Sequence, residues 1–171
     1  MLPSGLSELI THDHKRIRSL LEKVKTACSG SREQHCLKVF KTLKAFLMAH
    51  IKAEEYSLYE MFEDDRSIGG PGLKEQVFRA YEQHDLIEFL LKDMGQAEEI
   101  SPQWRAQLTI LDEMLARHFR EEEQRFLSEI SKLIEEDDLK EMGKFYLRER
   151  DSIFTKRSGL KPTVSLASTS P

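Results

Sequence analysis

Four histidines, His14, His50, His84 and His118, each interrupt an apolar stripe, and they recur at separations of 36, 34 and 34 residues. His14 falls between Ile10 and Ile17, and His50 between Leu47 and Leu58. His84 falls between Tyr81 and Ile87, and His118 between Leu115 and Phe126. The stripes have helical periodicity, so the imidazoles point toward the core that the stripes build. A polar group left unpaired in such a core costs roughly 2–7 kcal/mol. In an antiparallel bundle, positions at one height recur after a run to the turn and back. Near-equal spacing therefore sets all four rings at mid-height, each about 15 residues, or roughly 22 Å, from a helix end. A chain with this pattern must bring four imidazoles into one buried layer.

Strand-like alternation is absent, and helical periodicity dominates the rest of the chain. The first helix is expected from Leu6 to Cys28, with Gly30 as its stop. The second is expected from Ser31, where Gln34 completes a capping box, to about Glu63. The glycine-rich segment from Ile68 to Gly72 reads as a loop, and the third helix ends near Gly95. Ser101-Pro102 starts the fourth helix, which runs to about Ile134. A turn at Glu135–Asp138 precedes a short fifth helix from about Leu139 to Ile153. Residues 155–171 are rich in Ser, Thr and Pro and are expected to form a disordered tail. The expected fold is all-α, an up-down-up-down four-helix bundle over residues 1–134, with a short helix in 135–154 and a tail over 155–171.

Charged residues make up 33% of the 171 and apolar ones 39%, the balance of a soluble globular domain. The net charge of −4 argues against nucleic acid as a partner, because phosphate binding needs a basic face. No apolar run approaches the ~20 residues of a membrane span. The N-terminus lacks a basic segment followed by an apolar one, so the expected location is the cytoplasm. Cys28 and Cys36 are accordingly expected to be free thiols.

Two carboxylates join the histidine layer. Glu54 follows His50 by four residues, and Glu122 follows His118 by four. Such pairs share a helix face, with Cβ atoms about 5–6 Å apart. Buried carboxylates are costly unless paired or on a metal. Four imidazoles, two carboxylates and no thiolate suit Fe, and after it Mn, better than four-coordinate structural zinc. Six side chains suit two ions bridged by the carboxylates and by an oxo or hydroxo group. The expected metal ligands are therefore His14, His50, Glu54, His84, His118 and Glu122, with Glu123 as the fallback for Glu122. Glu55 and His12 are expected at the surface, His35 lies roughly 22 Å along its helix from His50 and too far to join the site, and Asp13 and Asp85 are expected to point away from it. Tyr59 and Tyr81 read as core packing, with a hydrogen bond to the site or direct contact with the metal as the alternative.

The segments His12-Asp13-His14-Lys15-Arg16, His50-Ile51-Lys52-Ala53-Glu54-Glu55, Glu82-Gln83-His84-Asp85 and His118-Phe119-Arg120-Glu121-Glu122-Glu123 resemble the hemerythrin-like, or HHE cation-binding, family. The resemblance covers about residues 6–134. It implies the same six ligands and a non-haem di-iron site that meets O2, peroxide or NO. Oxygen-carrying hemerythrins have a second histidine one turn from that of the third helix, where this chain has Ala80 and Glu88. Their last carboxylate is an Asp five residues past its His. The chain is more similar to the four-His, two-Glu subgroup, which implies an additional open position instead of reversible O2 carriage. The paired N-terminal cysteines of the iron-centre repair members are absent. The expected function is to bind or react with a small oxidant, with electrons from the metal pair and a separate redox partner. The alternative is an oxygen, iron or redox sensor acting through another protein.

Overall fold

The computed structural model describes residues 5–30, 33–62 and 69–160. Its helices are α1 (Leu6–Cys28), α2 (Glu33–Ser57), α3 (Gly70–Met94), α4 (Pro102–Glu121), α5 (Leu127–Leu133) and α6 (Glu136–Ser158). Antiparallel hairpins α1–α2 and α3–α4 make the bundle, and α6 lies along α1 and α2. The expected capping box at Ser31 lies outside the described residues.

Helix boundaries follow local chemistry. Ser101 caps α4 as expected, its Oγ accepting from the Trp104 N–H at 3.1 Å. Within the expected glycine loop, α3 begins earlier than read: Gly69 and Gly70 take φ of 102° and 70°, and Pro71 follows in the first turn. α2 stops sooner than read, at Ser57, whose hydroxyl bonds back to the Ala53 carbonyl at 2.5 Å. A single 3-10 turn over Tyr59–Phe62 then buries both aromatic rings at its ends. The fourth bundle helix is continuous in backbone but not uniform. One turn of π-helix, Glu122–Phe126, joins α4 to α5.

Two expectations are corrected. The fifth helix is not short: α6 spans Glu136–Ser158 and ends on Gly159 at φ 67°, so residues 155–158 are helix, not tail. Residues 161–171 of the expected tail lie outside the described residues. The length of α6 follows from its buried stripe of Gly143, Tyr146, Leu147, Arg150 and Phe154, which docks over more than three turns. Cys28 and Cys36 are not free thiols but form a disulfide. Cys36, near the start of the described part of α2, faces the last turn of α1, with a Cα–Cα distance of 5.2 Å.

The apolar core comes in two parts. One gathers Ile17, Val24, Leu47, Ile87, Leu91, Trp104 and Leu115 toward the disulfide end. The other gathers Leu6, Ile10, Leu58, Phe62, Val77, Phe126 and Ile130 toward the opposite end. On every bundle helix the histidine falls between the two parts, so a polar layer crosses the middle of the molecule. No helix among the described residues is long and apolar enough to cross a membrane.

At Gly143 the backbone of α6 packs directly on α1: a Cβ there would lie 3.0 Å from Leu9 Cδ1 and 3.2 Å from the Leu6 nitrogen. Gly143→Val should therefore destabilise the protein by about 1–3 kcal/mol, read as a lower denaturant midpoint. An unchanged midpoint would show that α6 is not seated on α1.

Candidate metal centre

The structure brings His14, His50, Glu54, His84, His118 and Glu122 into one layer, and none is more than 4% exposed. Each imidazole turns Nε2 inward. Glu54 stands at the centre. Its Oε1 is 3.1 Å from His50 Nε2 and 3.8 Å from His14 Nε2, and its Oε2 is 3.5 Å from His84 Nε2. Glu122 Oε2 lies 3.1 Å from His14 Nε2 and 3.9 Å from His118 Nε2. His84 and His118 meet through their Nε2 atoms at 3.2 Å. The donors fall into two sets sharing one carboxylate, His14–His50–Glu54 and Glu54–His84–His118.

The inward atoms converge without satisfying one another. His14 Nε2, His50 Nε2, both Glu54 oxygens and Glu122 Oε2 are buried with no hydrogen-bond partner. Leaving one such group unmade costs about 1–3 kcal/mol, so five in one spot need a common partner. Nitrogen and carboxylate donors in this number fit two divalent ions of the Fe or Mn kind. The residues present therefore fit the metal that the sequence implies.

The outward nitrogens fix the rings so that the inward ones face the layer, those of His14 and His50 without a hydrogen-bond partner. Every ring has a partner on Nδ1. His14 Nδ1 bonds Glu123 Oε1 at 2.8 Å, which Arg18 also holds at 3.1 Å. His50 Nδ1 bonds the Tyr146 hydroxyl at 2.7 Å, and that hydroxyl donates to Asp13 Oδ2 at 2.6 Å. His84 Nδ1 bonds Glu55 Oε1 at 3.1 Å, and His118 Nδ1 bonds Gln83 Oε1 at 2.8 Å. A proton kept on Nδ1 leaves the Nε2 lone pair for an ion, and such partners fix ring orientation as well. Tyr59 donates to Glu122 Oε1 at 2.8 Å and stacks on His84, while Tyr81 packs edge-on against Tyr59.

The π turn organises three consecutive glutamates. Glu121 accepts from Gln83 Nε2 at 3.0 Å, Glu122 enters the layer, and Glu123 turns to His14. An extra residue in one turn widens the arc that faces the core, and such turns gather at functional sites.

Electrostatics show protons standing where cations would. Burial disfavours charge on His84, but Glu54 and Glu55 outweigh it and push its pKa up to about 9. Burial likewise opposes charge on His14, and Glu122, Glu123 and Glu54 still lift it well above the ordinary range. Burial and the neighbouring His84 push His118 down to about 3. Burial, then the charge on His14, hold His50 well below its usual value. Glu122, despite burial, is drawn down to about 2 by His14 and His118. Burial, then the charge of Glu122, raise Glu54. Burial and Asp13 hold the Tyr146 hydroxyl protonated.

A family model described as the hemerythrin HHE cation binding domain matches residues 5–130, and the chain belongs to that family. No curated protein and no solved structure matches the chain.

Several residues stand apart from where the sequence put them. Glu55 is buried against His84 instead of lying at the surface, because Lys52 at 2.8 Å and His84 compensate its charge. Asp13 does point away from the inward donors, but it is fully buried against α6. Glu123, the fallback ligand, orients His14 from outside. His12 is exposed, as expected, and His35 is exposed as well. Sequence reasoning missed Tyr146, Gln83 and Arg150. Arg150 interrupts the apolar stripe of α6 as the histidines interrupt theirs, and the same test would have found it. No comparable signal exists for Gln83, which adjoins His84 but serves His118 across the helix pair.

An ion on Nε2 must displace the proton that His84 carries below its pKa of about 9. Adding Fe(II) anaerobically at pH 7 should therefore release protons, read with an indicator dye in weak buffer. Uptake without proton release would contradict the assigned protonation.

Proposed function

We propose that this chain is a di-iron protein that binds or reacts with a small oxidant such as O2, peroxide or NO. The convergence of unsatisfied buried donors into two sets that share Glu54 carries the reading. His14 and His50 would hold one ion, His84 and His118 the other, with Glu54 between them and Glu122 in reach of both. When bound, such a metal pair would supply redox electrons and an open coordination position for a small molecule. The rest is work for the protein. It keeps bulk water out, fixes each ring through Nδ1, and sets a donor, the Tyr59 hydroxyl, beside Glu122.

A cavity of about 30 Å³ supports the small size of the ligand. It touches His118, Glu122 and Tyr59 and opens between α3 and the π turn past Ala80, with Arg79 and Arg125 at its rim. That is room for a water-sized molecule and little more. The cavity favours the His84–His118 half as the side that a ligand reaches.

Electrons for turnover would come from a separate redox protein, and the proposed location is the cytoplasm. There the Cys28–Cys36 pair would exchange with the thiol pool instead of staying permanently oxidised. A second reading, a sensor of oxygen, iron or redox state acting through a partner, is favoured by the bond from α6 to His50.

Glu54→Ala and His118→Ala should each lose iron while keeping helical content, counted as metal per chain after anaerobic Fe(II) loading. Full retention of iron in both would sink the site assignment. Peroxide or NO turnover above that of free iron would favour the enzyme, and tight binding without turnover the sensor.

A further inference from the structure

The family match ends at residue 130, before α6 begins at Glu136, yet α6 supplies the outer partner of His50. Tyr146 and Arg150 lie one turn apart on its buried face. The Tyr146 hydroxyl donates to Asp13, which leaves its oxygen to accept the proton of His50 Nδ1. Arg150 Nη1 donates to both Asp13 oxygens at 2.7 and 2.8 Å, and its Nε and Nη2 donate to Asp151 at 2.9 and 2.7 Å. Asp13, Tyr146 and Arg150 are all buried, with 0%, 0% and 3% of their surfaces exposed. One chain of hydrogen bonds thus runs from His50 on α2, through α6, to α1 beside His14.

We propose that α6 is a positioning element whose docking is linked to the metal centre through Tyr146, so that metal occupancy and α6 packing stabilise each other. An ion on His50 Nε2 withdraws charge from the ring and makes Nδ1–H a stronger donor to Tyr146. A docked Tyr146 in turn holds the ring with its lone pair inward. Coupling of this kind is reciprocal. A merely structural α6 would be held by the Arg150–Asp13 pair and by Phe154 whether or not an ion is present. The linkage rests on the di-iron reading and gives its sensor form a moving part: the segment beyond the matched domain changes stability with the state of the site.

The test is amide hydrogen exchange of the full chain, metal-free and loaded with Fe(II) without oxygen, for wild type and Tyr146→Phe. In wild type, Fe(II) should slow exchange across residues 143–154. In Tyr146→Phe the slowing should vanish, and Fe(II) affinity should fall about 10–100-fold by competition with a chelator. Exchange of α6 that is identical with and without Fe(II) in wild type would overturn the linkage alone, and this arm decides even if the variant does not fold. So would a folded variant with unchanged affinity. Failure of wild type to take up Fe(II) would overturn the linkage and the metal reading together.

Discussion

Glu54 is a carboxylate with no exposed surface, set between two pairs of imidazoles and bonded to none of them. The rest of the molecule is arranged around that conflict. Buried charge of this kind is tolerated only with a compensating cation or proton. In this layer the two are alternatives: protons on His14 and His84 balance the carboxylates, and metal ions would replace them. The four helices differ in length and in their ends, but each brings one histidine to the same height.

What distinguishes this layer from a polar core is the direction of its bonds. A polar core would close its hydrogen bonds inward. Here they close outward, from every Nδ1 to Glu123, Tyr146, Glu55 or Gln83. Inside the layer His84 Nε2 and His118 Nε2 bond each other, but the His14 and His50 Nε2 atoms, both Glu54 oxygens and Glu122 Oε2 stay unsatisfied. Those outer partners come from α2, α3, the π turn and α6, so the site is held by most of the molecule. The apolar parts of the core on either side supply the low-dielectric surroundings in which such bonds are strong.

The bundle and the inner six residues were legible because each rests on periodicity within one helix. A histidine in an apolar stripe, and a glutamate four residues on, are visible in one dimension. The outer partners were not, since Glu55–His84 and Gln83–His118 join residues on different helices whose facing depends on crossing geometry. Glu121, Glu122 and Glu123 read as one charged run, and only the π turn separates them into three tasks. The full length of α6 was hidden because its ends are polar: Glu136, Asp137 and Asp138 read as a turn, and residues 155–158 carry no apolar side chain. The disulfide was hidden because it joins residues on two different helices, whose facing no periodicity within one helix reports.

Diffraction at the iron absorption edge, on crystals of the Fe(II)-loaded protein, tests the central claim most directly. The account predicts two anomalous peaks about 3.5–4 Å apart, one between His14 and His50 and one between His84 and His118, with Glu54 spanning them. A single peak, or none with the histidine layer intact, would contradict it.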